Sequence, residues 1–178
     1  MIRLFVGLPL PDGVIARLQI MCSGLPGAKW VEPANMHITL RFIGEVDEHV
    51  AEDIDQFLSG IAAEAFSLEL QGLGTFGQGH KARALWAGVN SSANLTHLQA
   101  KIESAVVRAG QPAETRKFTP HVTLARFSQA HPVRLQSFVE GNNLFQAGPF
   151  SVEEFVLFES RLGRAGPMYI PLAHYELN

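Results

Sequence analysis

Disulfides are the first feature this sequence excludes. Its single cysteine, Cys22, closes no internal bridge, which fits a reducing compartment. Long apolar runs are missing as well. The opening "MIRLFVGLPLPDG" is interrupted by Pro9 and Pro11, and no small-residue cleavage site follows. No stretch approaches the roughly 20 apolar residues of a membrane span. The expectation is therefore a cytoplasmic protein, made without a membrane partner and beginning in a first β-strand. An excess of positive charge is also absent, the formal net charge being -3. A protein that coats duplex nucleic acid needs many cations against phosphates, so that mode is excluded. Gripping one phosphate or one strand end needs only a few, and stays open. The glycine-rich "GLGTFGQGHKAR" lacks the "GK[ST]" ending of a nucleotide P-loop, and no dinucleotide fingerprint occurs. No cofactor is expected.

What is present is enough apolar residue for a real core. Hydrophobic residues make up 47% of 178 positions and charged residues 17%, without low-complexity tracts, so one globular domain is expected over 1–178. Ile2–Leu8 reads as a strand. Asp12–Cys22 carries Val14, Leu18, Met21 and Cys22 at helical spacing. Asp47 stands where it can cap a helix through Ala65, with Val50, Ile54, Phe57, Leu58 and Ile61 as its buried stripe. Phe66–Leu73 and "ALWAGV" read as strands, with the glycine-rich segment as a loop between them. Leu95, Leu98, Ile102, Ala105 and Val106 mark a helix that stops at Gly110. Leu135, Phe138 and Val139 suggest a short helix or turn. Phe150–Ser160 and Tyr169–Leu177 read as strands around "RLGRAGP". Mixed elements and short connections argue for an α+β fold with antiparallel pairing.

One phrase is written twice: "HITL" from His37 and "HVTL" from His121. The spacing is too long for a solenoid repeat and suits a duplication folded back on itself. Each copy alternates as a strand does. Met36, Ile38, Leu40 and Phe42 are expected on one face, and His37, Thr39 and Arg41 on the other. A histidine and a threonine two apart on a strand share a face, about 6–7 Å apart. Two such strands about a pseudo-twofold bring two imidazoles and two hydroxyls to one cleft. That set suits in-line displacement at phosphorus without a metal. One imidazole takes a proton from the attacking oxygen and the other, protonated, gives one to the leaving oxygen. Imidazole serves both ends because its ordinary pKa is about 6.5. The hydroxyls can hold non-bridging oxygens. A lone His-x-Thr on a strand is commonplace; the repetition carries the inference.

With these flanks, "HITLRFIG" and "HVTLARF" resemble the two signature motifs of the two-histidine (2H) phosphoesterases. The chain is similar to the bacterial RNA 2',3'-cyclic phosphodiesterases within that superfamily, also called 2'-5' RNA ligases. The resemblance takes in "RLFVGLPLP", "WVEPANMHITLRFIGEV", "ALWAGV", "KFTPHVTLARF" and "FVLFESRLGRAGPMYIPLAHYEL", nearly the whole chain. It implies a bilobal fold of two pseudo-symmetric antiparallel sheets, with helices packed outside and a central cleft. It further implies metal-independent opening of a 2',3'-cyclic phosphate on an RNA end or nucleotide to a 2'-phosphate, with weak reversible 2'-5' joining of RNA ends in some members. Carried onto this chain, it makes His37 the proton donor and His121 the proton acceptor, and gives Thr39 and Thr123 to the phosphate. A monomer is expected.

Phe42 and Arg126 stand at the same offset, five residues after each histidine. A ring and a guanidinium there could flank a base, and Arg126 could bind phosphate. Strict alternation, however, turns both away from the histidines. Trp86 reads as core, and Trp30 as a loop residue able to touch RNA. His80, Lys81 and Arg83, like Arg161 and Arg164, read as solvated loop cations that could meet an RNA backbone. His49, His97 and His131 read as surface residues, and His174 lacks a threonine two residues on. Three other functions compete: a zinc hydrolase, disfavoured because threonine is a poor ligand and no carboxylate sits beside either histidine; a non-catalytic RNA-end binder; and a phosphodiesterase for another small cyclic phosphate.

Overall fold

A computed structural model describes residues 1–178 as nine strands and four α-helices. In chain order these are β1 (Ile2–Pro9), α1 (Asp12–Met21), β2 (Lys29–Trp30), β3 (His37–Val46), α2 (Glu48–Ser59), β4 (Phe66–Phe76), β5 (Ala84–Val89), α3 (Ala93–Arg108), β6 (His121–Arg126), α4 (Pro132–Gly141), β7 (Gln146–Val152), β8 (Glu154–Gly163) and β9 (Gly166–Glu176).

The strands pair antiparallel in the order β7-β4-β5-β6-β3-β1-β8-β9. The order falls into two equivalent halves. One runs outward from β3 through β1, β8 and β9; the other runs outward from β6 through β5, β4 and β7. The two halves are strand-paired at one position, Ile38 with Val122, where the two repeated phrases lie side by side. The α+β fold with pseudo-symmetric antiparallel halves is thus present, and that pair makes the hydrogen-bonded path continuous. The short β2 extends the free edge of β6 through Lys29–Arg126 and Trp30–Ala125.

One large hydrophobic cluster draws on both halves. Leu4, Val6, Ile38, Leu40, Leu68, Ala87, Val122 and Leu124 pack with Ile54 and Leu58 of α2 and Leu95, Leu98 and Ile102 of α3. The two helices therefore cover the face opposite the histidines. Full burial of a leucine or isoleucine contributes about 1.5–3 kcal/mol, so this cluster dominates the stability. A second, smaller cluster joins Leu85, Ala125 and Phe127 to Leu135 of α4.

Several boundaries differ from the sequence reading. α2 stops at Ser59, short of Ala65, and Phe57 is 38% exposed, lying beneath the Arg108 guanidinium instead of in the core. Asp47 occupies the N-cap position, but its side chain makes no capping bond. β4 continues through the first part of the glycine-rich segment to Phe76. Gly74 permits this, because a Cβ there would lie 2.3 Å from the Trp86 ring on β5. The expected strand Phe150–Ser160 is two strands, broken at Glu153. α3 ends as expected, with Gly110 at φ +103°, and Ser92 caps its start by accepting the Leu95 N–H at 3.1 Å.

Candidate active site

His37 opens β3 and His121 opens β6, so the seam between the halves places both at one cleft. Its walls are Arg3, Phe5, Val31, Asn35, His37, Thr39, Phe42, His121, Thr123, Arg126, Ser160 and Tyr169. All six residues picked from the sequence are among them.

Phe42 and Arg126 reach the cleft through a departure from strict alternation. Val6 pairs with Arg41 and Gly7 with Thr39, which leaves Leu40 as an extra residue in β3. Likewise Leu85 pairs with Ala125 and Trp86 with Thr123, which leaves Leu124 extra in β6. Each strand therefore bulges directly after its threonine. A bulge re-aims the side chains beyond it. Leu40 and Arg41, like Leu124 and Ala125, are both buried in succession, and Phe42 and Arg126 return to the histidine face. Arg41, expected beside His37, is instead 7% exposed on the helix side, where its Nε donates to Glu103 of α3 at 2.9 Å.

The two imidazoles are held alike. Nδ1 of His37 lies 2.6 Å from the Asn35 carbonyl, and Nδ1 of His121 lies 2.6 Å from the Thr119 carbonyl. A carbonyl only accepts, so each Nδ1 carries hydrogen and each Nε2 is left for the cleft. The symmetry ends at Nε2. That of His37 is 2.8 Å from the Thr39 hydroxyl, whereas His121 makes no such bond to Thr123. With His37 neutral, Thr39 donates to it. With His37 protonated, the direction reverses and the hydroxyl proton is released to another acceptor. The Asn35 side chain also donates to the Pro167 carbonyl at 2.8 Å, tying the segment before His37 to the start of β9.

Aromatic rings enclose both imidazoles. Phe5 lies 4.8 Å from His37, and Tyr169 meets it edge-on at 5.2 Å. Phe76 meets His121 edge-on at 4.8 Å, with Trp86 at 6.0 Å. Burial disfavours the charged form and pushes the His37 pKa down to about 4; the Asn35 carbonyl opposes the shift, and Arg126 and His121 add to it. His121 is also lowered, mainly by burial, against its bond to Thr119, with Arg126 contributing. Both are neutral in the free protein near pH 7.

This has a consequence for stability. A histidine whose folded pKa lies below its unfolded value of about 6.5 favours the fold fully above that pH and loses the contribution as pH falls toward the folded pKa. For His37, with its pKa pushed down to about 4, the loss between pH 8 and pH 5 is about 2 kcal/mol. His37→Gln has no such proton to bind. Urea unfolding at the two pH values should show the wild type losing more stability on acidification than this variant; equal losses would contradict the burial of a neutral His37.

The remaining sequence candidates lie elsewhere. Trp30 is in β2, packed 5.9 Å from Phe138, and does not reach the cleft. Trp86 is not core: it pairs with Thr123 on the histidine side, and its indole N–H is buried without a partner. His80 and Lys81 sit in an exposed short 3-10 turn, and Arg83 lies over the Phe76 ring at 5.7 Å. Arg161 pairs with Glu159, Arg164 is exposed, and His174 pairs with Glu154. His49, His97 and His131 are exposed, as read. No three His, Cys, Asp or Glu side chains gather as a metal-binding group. No helix is long and apolar enough to cross a membrane. Sequence reasoning missed Arg3, Phe5, Val31, Asn35, Ser160 and Tyr169. Phe5 pairs with Phe42 across β1–β3, a relation only the pairing register reveals.

The sequence model described as the 2'-5' RNA ligase superfamily matches residues 10–164. The chain belongs to this superfamily. Among its relatives, an RNA 2',3'-cyclic phosphodiesterase of Aeropyrum pernix is 40% identical over 162 residues, covering 88% of this chain and 91% of that protein. Another of the same name from Archaeoglobus fulgidus is 30% identical, covering 98% of this chain and 99% of its own. Among solved structures, apo E. coli LigT superposes with a TM-score of 0.82 at 26% identity, covering 99% of this chain and 98% of that one. The 2H superfamily fold is therefore the architecture that sets the two histidines at the seam.

Proposed function

We propose that the protein is a metal-independent hydrolase that opens the 2',3'-cyclic phosphate of RNA ends or nucleotides to a 2'-phosphate. The observation that carries this reading is the matched tethering of the two imidazoles. Each gives its Nδ1–H to a backbone carbonyl two residues earlier, so both Nε2 atoms are presented to one cleft with two hydroxyls and Arg126. The relatives that share most of the chain bear the name of this activity, and E. coli LigT has been crystallised with phosphate.

His121 is the base. It is neutral in the free protein and its Nε2 is not engaged by a threonine, so its lone pair can take a proton from water as the oxygen attacks phosphorus. His37 is the acid. The anionic phosphate supplies the opposite charge that raises its pKa, so binding of substrate brings a proton to Nε2. The same proton turns the Thr39 hydroxyl outward to donate to a non-bridging oxygen, beside Thr123 and Arg126. His37 then passes its proton to the departing 3' oxygen. The Phe42 ring offers a face on which the nucleobase stacks, whatever its identity. The protein acts as a cytoplasmic monomer; reversal of the reaction would join RNA ends through a 2'-5' linkage.

Product regiochemistry tests this reading. In-line attack places water opposite the oxygen that leaves. With His121 on the water side, the expected product of a cyclic nucleotide is the 2'-phosphate with a free 3' hydroxyl, and exhaustive chelation leaves the rate unchanged. Phosphorus NMR against authentic 2' and 3' monophosphates reads the outcome. A 3'-phosphate product would reverse the placement of the ribose, and loss of activity on chelation with rescue by a divalent metal would replace the mechanism.

A further inference from the structure

Arg126, a wall of the cleft, belongs to a row of residues paired across four strands. Phe76 of β4 pairs with Ala84 of β5, Ala84 with Arg126 of β6, and Arg126 with Lys29 of β2. Residues paired directly across antiparallel strands share a face. The face is the one that bears the histidines. Arg126 lines the cleft, Phe76 packs against His121, and Val31, two residues from Lys29, is itself a cleft wall. Trp30, between Lys29 and Val31, turns to the core.

This row sets two cations directly opposite each other. Like charges in that position repel and weaken the pairing. Neither has a carboxylate to relieve it, since the ion pairs of the protein involve Arg41, Arg116, Arg161 and His174. Both side chains are exposed. Nor is the pair one instance of a generally basic surface, because the net charge is -3. Two uncompensated cations, held in register by a two-residue strand at the rim of a phosphate cleft, are relieved by an anion placed between them.

We infer that Lys29 and Arg126 form a second phosphate subsite, which takes the phosphodiester that precedes the cyclic end in an RNA strand. The inference rests on the proposed reading of the cleft, in which the cyclic phosphate lies between the histidines. Arg126 then stands between two phosphates, and Lys29 serves only the outer one. The protein on this view favours a strand end over a free cyclic nucleotide, and does so by charge, with no reading of the bases.

Three substrates test it: a 2',3'-cyclic mononucleotide, a dinucleotide with the same cyclic end, and that dinucleotide with an uncharged methylphosphonate linkage. The wild type should favour the charged dinucleotide over the uncharged one by about tenfold in kcat/KM. Lys29→Ala should reduce that preference to about two- to threefold, the part that Arg126 still supplies, and leave the mononucleotide rate unchanged, and Lys29→Arg should retain it. No preference in the wild type, or one that survives Lys29→Ala undiminished, overturns the subsite. Failure of the wild type to turn over any of the three would defeat the proposed function instead. Direct titration with dinucleotides ending in a 2'-phosphate then judges the subsite alone. Tighter binding of the charged than the uncharged linkage by the wild type, weakened in Lys29→Ala, upholds it; equal binding by the wild type, or a difference unchanged in Lys29→Ala, removes it.

Discussion

His37→Ala and His121→Ala should each lower turnover of a 2',3'-cyclic phosphate by roughly 10²–10⁴, equivalent to about 3–5 kcal/mol of barrier. On the proposed mechanism each variant removes one end of the proton transfer, and neither loss can be covered by the other histidine, because the two Nε2 atoms would serve opposite sides of the phosphorus. The double variant should fall well short of the product of the single losses, since residues that act as a unit are non-additive. Folding should survive. Both histidines lie on the cleft side of their strands, while the residues beside them, Ile38 and Val122, carry the core. Thr39→Ala should cost less than His37→Ala, because it removes one hydroxyl and leaves the imidazole tied to Asn35. Steady-state kinetics on folded protein, with circular dichroism as the control, decide the matter. A histidine variant near the wild-type rate would end the paired acid–base mechanism.

Arg41→Met should destabilise the fold by about 3 kcal/mol. Arg41 is buried, and each of its three side-chain nitrogens donates a bond: Nε to Glu103 at 2.9 Å, one terminal nitrogen to the Phe42 carbonyl at 2.6 Å, and the other to the Pro112 carbonyl. The second Glu103 oxygen accepts the Glu114 N–H at 3.1 Å. One guanidinium thus joins β3, in the first half of the sheet, to α3 and to the segment that leads to Thr119 and His121. Methionine fills much of the space but leaves one Glu103 oxygen and two carbonyls without their partner, which is the costly way to break a largely buried ion pair. Arg41→Met combined with Glu103→Leu should recover part of the loss. Urea unfolding of the two variants measures it. A loss under about 1 kcal/mol for Arg41→Met would mean that the network adds little beyond packing.

The α+β class, the paired His-x-Thr phrases and the face shared by His37 with Thr39 and by His121 with Thr123 were all legible in the sequence. Each follows from local chemistry: the two-residue period of a strand, the apolar residues that alternate with the motif, and a repetition that needs no partner to be seen. The resemblance of these phrases to a known superfamily then named the chemistry. Where α2 ends, where β4 ends and how Phe150–Ser160 divides were not legible, because packing and pairing override local propensity at element ends. The larger gap concerned Phe42, Arg126 and Arg41. Alternation placed the first two away from the histidines and the third beside them, and the structure does the reverse. The cause is an extra residue directly after each threonine, Leu40 and Leu124, set against a partner strand that lacks it. A bulge is a mismatch between two strands, so neither strand's own sequence contains it. The sequence by itself determined which groups could move protons. Pairing of β1 with β3 and of β5 with β6 decided which aromatic and cationic side chains stand around them, because only the register between strands sets the face on which each side chain emerges.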